Sequence, residues 1–122
     1  MKSLLIVAHG SKRKESNDEI FDLTEKIKDK LGENFGHVSC AFLEISSPSI
    51  SEGIDQCVQK NSDKILVLPY FLTTGRHVID DIPDIVNEAK ARNSNVKIIL
   101  LPYLGSNSAV KNILVSIAEN EK

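Results

Sequence analysis

The 122-residue chain has no C-x-x-C pair, no glycine-rich phosphate loop, no apolar stretch of membrane-spanning length and almost no net charge. Each absence removes a class of function. The two cysteines, Cys40 and Cys57, lie inside apolar-periodic segments, which points to buried free thiols rather than a zinc knuckle or an iron–sulfur cluster. A formal net charge of −2 leaves no global basic field of the kind that neutralises phosphates, so nucleic acid is not expected as a partner. A small anionic ligand stays compatible with that balance, because local charge can differ from net charge. The apolar run at residues 4–8 is too short for a signal segment with its cleavage site and far too short to span a bilayer. The expectation is a cytoplasmic protein with no membrane partner. Dinucleotide and P-loop binding lack G-x-G-x-x-G and G-x-x-x-x-G-K-[ST], and a serine hydrolase lacks its G-x-S-x-G elbow.

What is present reads as one globular domain over residues 1–122, with 41% hydrophobic and 26% charged residues, far from the composition of disordered chains. Four runs rich in Val, Ile and Leu, at residues 3–8, 38–44, 64–68 and 96–101, alternate with four helical patterns. The runs are nearly continuous, as strands covered on both faces of a parallel sheet are. For the first helix, Ser16 and Glu19 form an S-x-x-E capping box, followed by Ile20, Leu23, Ile27 and Leu31 on one face until Gly32. The second takes Ser47 as N-cap and Pro48 as its first residue, and buries Ile50, Ile54, Cys57 and Val58. The third is expected to start near Asp81 and Pro83, with Asp80 and Asp81 as capping acids and Ile85, Val86 and Ala89 turned inward. The fourth runs from Ser106 or Asn107 through Val110, Ile113, Leu114 and Ile117. A βαβαβαβα order with right-handed crossovers predicts an α/β fold, a doubly wound parallel four-stranded sheet with flavodoxin-like strand order.

In such sheets ligands bind outside the carboxyl ends of the strands. That rule selects His9 and Gly10 after the first strand, Glu44 at the end of the second, and the stretch from Pro69 to His77 after the third. His37 belongs to the opposite edge. Each candidate has an ordinary alternative: a structural hydrogen-bonding histidine, a solvated carboxylate, and a surface loop whose Phe71 and Leu72 serve the core. The loop passes from apolar Phe71 and Leu72 through Thr73, Thr74 and Gly75 to cationic Arg76 and His77. It is longer than most βα connections and suits wrapping a ligand. Gly75 permits close backbone approach, the threonines offer hydroxyls, and Arg76 can pair with carboxylates.

The strings Val7-Ala8-His9-Gly10-Ser11, Phe42-Leu43-Glu44 and Phe71-Leu72-x-x-Gly75-x-His77-Val78-x-x-Asp81-Ile82-Pro83 together resemble the short CbiX-type chelatases, relatives of the sirohydrochlorin ferrochelatases and of protoporphyrin ferrochelatase. The resemblance spans essentially the whole chain. It implies insertion of a divalent metal ion, cobalt foremost and nickel or iron besides, into sirohydrochlorin. By position it implies His9 as the proton acceptor that also contacts metal, His77 as a metal ligand, Glu44 as the acidic substrate-binding residue, and Phe71, Leu72, Thr73, Thr74, Gly75 and Arg76 as the tetrapyrrole-binding loop. It further implies a half-domain that works as a homodimer, with no tightly bound cofactor and with the metal as substrate. The chemistry suits these residues, since metallation needs a base for two ring protons and a transient site for the ion. Imidazole with carboxylate fits cobalt, iron or nickel alike.

Two rival functions have signatures of their own. A histidine phosphatase would carry Arg-His-Gly after the first strand, and Ala8 stands where that arginine belongs. A non-catalytic metal or tetrapyrrole carrier is separated from an enzyme only by turnover.

Overall fold

The computed structural model describes residues 1–121 apart from the side chains of residues 76–79. Four strands, β1 (Lys2–Ala8), β2 (His37–Phe42), β3 (Lys64–Pro69) and β4 (Lys97–Leu100), alternate with helices α1 (Lys14–Leu31), α2 (Ile50–Gln59), α3 (Arg76–Arg92) and α4 (Ala109–Glu119). The sheet is wholly parallel, in the order β2-β1-β3-β4. This is the flavodoxin-like order read from the sequence. β1 therefore lies inside the sheet, and residues 3–8 are buried on both faces, as their continuous hydrophobicity requires.

Alternation along the strands divides the core in two. Leu5, Val7, Ala41, Ile65, Val67 and Ile98 meet Ile50, Ile54 and Cys57 of α2 and Ile82, Val86 and Ala89 of α3 on one face. On the other, Leu4, Ile6, Val38, Cys40 and Phe42 meet Ile20, Ile27 and Leu31 of α1. Each fully buried Leu or Ile side chain stabilises the fold by about 1.5–3 kcal/mol relative to exposure.

Coverage is not even. In β3 only every second residue is buried, leaving Leu66 and Leu68 half-exposed on the α1 face, and Ile99 of β4 is half-exposed beside them. The expectation of strands covered on both faces thus fails for β3 and β4. The cause is α4, whose Ile113, Leu114, Val115 and Ile117 are all more than half exposed.

Helix boundaries depart from the sequence reading for identifiable reasons. α1 begins at Lys14, so Ser16 lies within its first turn and caps nothing. The Asn17 amide instead clasps the Ser11 backbone, accepting from its N–H at 3.0 Å and donating to its carbonyl at 2.8 Å. The capping box belongs to α2, where Ser49 and Glu52 satisfy each other's backbone N–H groups. Ser47 and Pro48 precede that helix. α3 starts at Arg76 with Gly75 as N-cap and carries Pro83 in its interior, which puts Asp80 and Asp81 in the second turn instead of at a cap. α4 starts at Ala109, after a 3₁₀ turn at Leu104–Ser106, and the Asn107 side chain accepts from the Ala109 N–H at 2.8 Å. Among the described residues no helix is long and apolar enough to cross a membrane.

Candidate functional site

The carboxyl edge of the sheet is where β1 and β2 run on past their last paired residues. Leu43 N–H donates to the Ala8 carbonyl at 2.8 Å and Glu44 N–H to the His9 carbonyl at 3.1 Å. The two chains stay this close because Gly10 has a φ of +97° and no side chain. The result is a direct contact between His9 Nε2 and Glu44 Oε1 at 2.7 Å. Both side chains keep more than half of their surface in water, 55% and 58% respectively, so the pair is open to a ligand.

Local strain marks the same place. Ile45 has a φ of +73°, and Ser46 N–H donates back to the Glu44 carbonyl at 2.8 Å, the pattern of the rare γ-turn with a positive central φ. The turn lifts the Ile45 side chain into solvent, 59% exposed. Ser46 Oγ then donates to the Ser11 carbonyl at 3.1 Å, so the loops after β1 and β2 are stitched together.

The His9–Glu44 pair faces a hollow of about 390 Å³ completed by Leu43, Asp81, Asp84 and Ile85. Asp81 and Asp84 stand three residues apart on α3 and so share a face. Asp81, expected at a cap, and Asp84, which the sequence analysis does not single out, share a spacing on a helix that starts at the ligand edge, and that spacing is the available signal. His9 also lines a second hollow of about 300 Å³ with Gly10, Asn17, Tyr70 and Phe71. Next to them an apolar hollow of about 250 Å³ is walled by Pro69, Thr74, Ile82, Pro83, Leu100 and Tyr103.

Of the sequence-selected residues, the fold brings His9 and Glu44 into contact and sets Phe71 beside His9. Phe71 is half-buried and packs against the core while lining the hollow, so both of its readings apply. Leu72 is 64% exposed, Thr73 exposed, and Thr74 half-buried against the apolar hollow. Gly75 is the N-cap of α3. His77, expected in the loop, falls with Arg76 in the first turn of α3, and the side chains of both lie outside the described residues. Among the described residues no group of three or more His, Cys, Asp or Glu gathers as a metal cluster. The site's described donors are the paired His9 and Glu44, with the Asp81 and Asp84 carboxylates on the wall of the same hollow.

His37 opens β2 at the opposite edge, as expected, with its Nε2 buried and unpartnered. Burial, reinforced by Lys60 and Lys28, holds its pKa below that of a free imidazole. Burial likewise raises the thiols of Cys40 and Cys57, which are free.

The sequence matches the CbiX family over residues 3–121. It is 34% identical to the sirohydrochlorin cobaltochelatase of Sulfolobus acidocaldarius, over 98% of this chain and 91% of that one. It is 32% identical to the chloroplastic sirohydrochlorin ferrochelatase of Arabidopsis thaliana, over 91% of this chain but 48% of that one. Among solved structures, the sirohydrochlorin chelatase SirB from Bacillus subtilis subspecies spizizenii, in complex with cobalt, superposes with a TM-score of 0.80 at 26% identity, covering 98% of this chain and 50% of SirB. The chain thus spans about half the length of the plant and Bacillus proteins and nearly all of the Sulfolobus one.

Proposed function

The chain belongs to the CbiX family, and from that membership we propose that it is a chelatase inserting a divalent metal ion into sirohydrochlorin, cobalt foremost and nickel or iron besides. The observation that carries this reading to the residues is the 2.7 Å contact between His9 Nε2 and Glu44 Oε1 at the mouth of an open hollow. An ionised carboxylate only accepts, so the neutral imidazole keeps its proton on Nε2 and presents its lone pair on Nδ1. That lone pair suits either task of the reaction: taking a proton from a ring nitrogen, or holding an ion on its way to the macrocycle.

Two ring N–H protons must leave as the metal enters the plane. His9 is assigned as the base and first metal contact, His77 as a further metal ligand, and Glu44 as the carboxylate that orients His9 and faces the substrate. Phe71, Leu72, Thr73, Thr74, Gly75 and Arg76 are assigned to the tetrapyrrole. The apolar side chains suit the face of a flat macrocycle, and the hydroxyls and the guanidinium suit its peripheral carboxylates. A site with few protein donors fits a metal that is substrate, because the ion has to be surrendered.

The working unit is a homodimer in this reading. The chain matches about half the length of the longer relatives, so two copies of it equal them in length, and Tyr70 and Leu72 leave apolar surface at the ligand edge, 40% and 64% exposed. The test is to mix the purified protein with sirohydrochlorin and each metal in turn, following the tetrapyrrole spectrum. Multiple turnovers with one of the ions are expected. Stoichiometric uptake without turnover would make the protein a carrier and end the enzymatic reading.

A further inference from the structure

Ile45 carries two costs that the fold does not require. A β-branched residue at a φ of +73° is strained, and its wholly apolar side chain is 59% exposed. Glycine or asparagine would fit the same turn with less strain and without apolar surface in water. Strand alternation sharpens the contrast. Leu43, two residues earlier, packs against the core on the α2 face, and a chain that stayed extended would turn Ile45 to that same face. The turn withdraws it instead.

The conformation is held by the backbone and by Ser46. Glu44 N–H donates to the His9 carbonyl at 3.1 Å, Ser46 N–H to the Glu44 carbonyl at 2.8 Å, and Ser46 Oγ to the Ser11 carbonyl at 3.1 Å. Phe42 N–H donates to the Pro48 carbonyl at 2.8 Å, which closes residues 43–47 into a loop with Ile45 in its middle. None of these bonds needs a branched apolar side chain at position 45. That side chain therefore serves something outside the chain's own packing.

The order of the sheet says what lies beside it. β1 stands between β2 and β3, so His9, at the end of β1, has the Ile45 turn beyond β2 on one side and the loop from Tyr70 to Thr74 beyond β3 on the other. Two interstrand spacings, about 9.6 Å, separate β2 from β3, a span that one tetrapyrrole ring covers. Exposed apolar side chains mark both flanks, Ile45 at 59% and Leu72 at 64%, with the imidazole between them. The Leu72 flank is braced as well, since Gly105 N–H donates to the Phe71 carbonyl at 2.9 Å. We propose that Ile45 is a substrate-binding residue, bearing on the apolar face of the macrocycle from the side of His9 opposite Leu72. The inference rests on the chelatase reading and adds an apolar contact on the β2 side, where that reading has only the Glu44 carboxylate. An alkyl group offers an ion no donor, so the contact acts on the tetrapyrrole and not on the metal. A braced turn presents it already in place, which lowers the ordering cost of binding.

The test compares the wild type with Ile45→Gly, Ile45→Asn and Ile45→Val by chemical denaturation, by titration with sirohydrochlorin in the absence of metal, and by metallation kinetics. The glycine and asparagine variants should unfold at a denaturant concentration no lower than the wild type, because strain is relieved. They should nevertheless bind the tetrapyrrole about tenfold or more weakly, the weight of one apolar side chain. KM for the tetrapyrrole should rise by more than kcat falls, with the metal concentration for half-maximal rate unchanged. Ile45→Val, still branched and apolar, should stay within about fourfold of the wild-type affinity, the weight of one methylene. Wild-type affinity in the glycine and asparagine variants overturns the assignment, and so does a loss of stability in both, which would make Ile45 a packing residue. Unchanged affinity with weakened self-association also overturns it, by setting a second copy of the chain against Ile45. A wild type that binds no sirohydrochlorin overturns the chelatase reading together with the contact.

Discussion

A Cβ on Gly10 would stand 2.0 Å from the carbonyl oxygen of Glu44. The contact between His9 and Glu44 therefore depends on the one residue type that lets the two loops approach, at a φ of +97° that L side chains rarely adopt. Gly10→Ala should lower stability by about 1–3 kcal/mol and reduce metallation at least tenfold, because the loops must separate. Chemical denaturation and the initial rate measure the two effects. A full rate in the alanine variant would show that the close approach does not serve the site.

Replacing each member of the pair separates chemistry from orientation. His9→Ala should reduce turnover by roughly 10²–10⁴, the usual weight of a proton acceptor, while the fold is retained. Glu44→Gln keeps an acceptor for the Nε2 proton but removes the charge, and should reduce turnover by about 10–100-fold, as is usual for groups that orient a ligating imidazole. If the glutamine variant were as inactive as His9→Ala, Glu44 would have to act on metal or substrate directly.

His77 and Arg76 occupy adjacent positions in the first turn of α3 but are assigned to different partners. His77→Ala should raise the metal concentration needed for half-maximal rate by about tenfold or more, with little change in tetrapyrrole affinity measured without metal. Arg76→Ala should do the reverse. Loss of tetrapyrrole affinity in His77→Ala, with unaltered metal dependence, would transfer the ion to His9 and Glu44 alone.

His37 predicts a pH dependence of stability that is independent of the site. Its folded pKa lies below the free value of 6.5 because burial, Lys60 and Lys28 all disfavour the charged ring. The unfolded chain therefore binds the proton more readily, so the stability present above about pH 6.5 is lost as pH falls through the folded pKa. Melting temperatures of the wild type and His37→Gln at pH 7.5 and 5.5 measure the difference. The variant should lose less on acidification, and an equal loss would move the acid sensitivity elsewhere.

Strand placement and order were legible in the sequence because a parallel sheet writes itself as apolar runs between helical patterns. Helix starts were less so, since the S-x-x-E strings at Ser16 and Ser49 compete for the capping role. Only the second caps its helix, whereas α1 already starts at Lys14, two residues before Ser16. Pro83 reads as a helix start but sits inside α3, where packing of Ile82 and Val86 outweighs the missing N–H. That misplacement kept Asp81 and Asp84 from being recognised as walls of the His9 hollow. His9 and Glu44 could be found because strand ends are local features; their contact depends on Gly10 and on the turn at Ile45, which only three dimensions reveal. Nor does α4's pattern of apolar residues, which reads as a buried face, reveal that Ile113, Leu114 and Ile117 are exposed.

The hydrogen bond from Gly105 to Phe71 makes the strap leading to α4 and the loop assigned to the macrocycle a single mechanical part. Whatever orders that loop therefore also steadies the strap from which α4 departs. By reciprocity, the free energy by which a ligand on the loop would order the strap equals that by which an ordered strap would tighten the ligand.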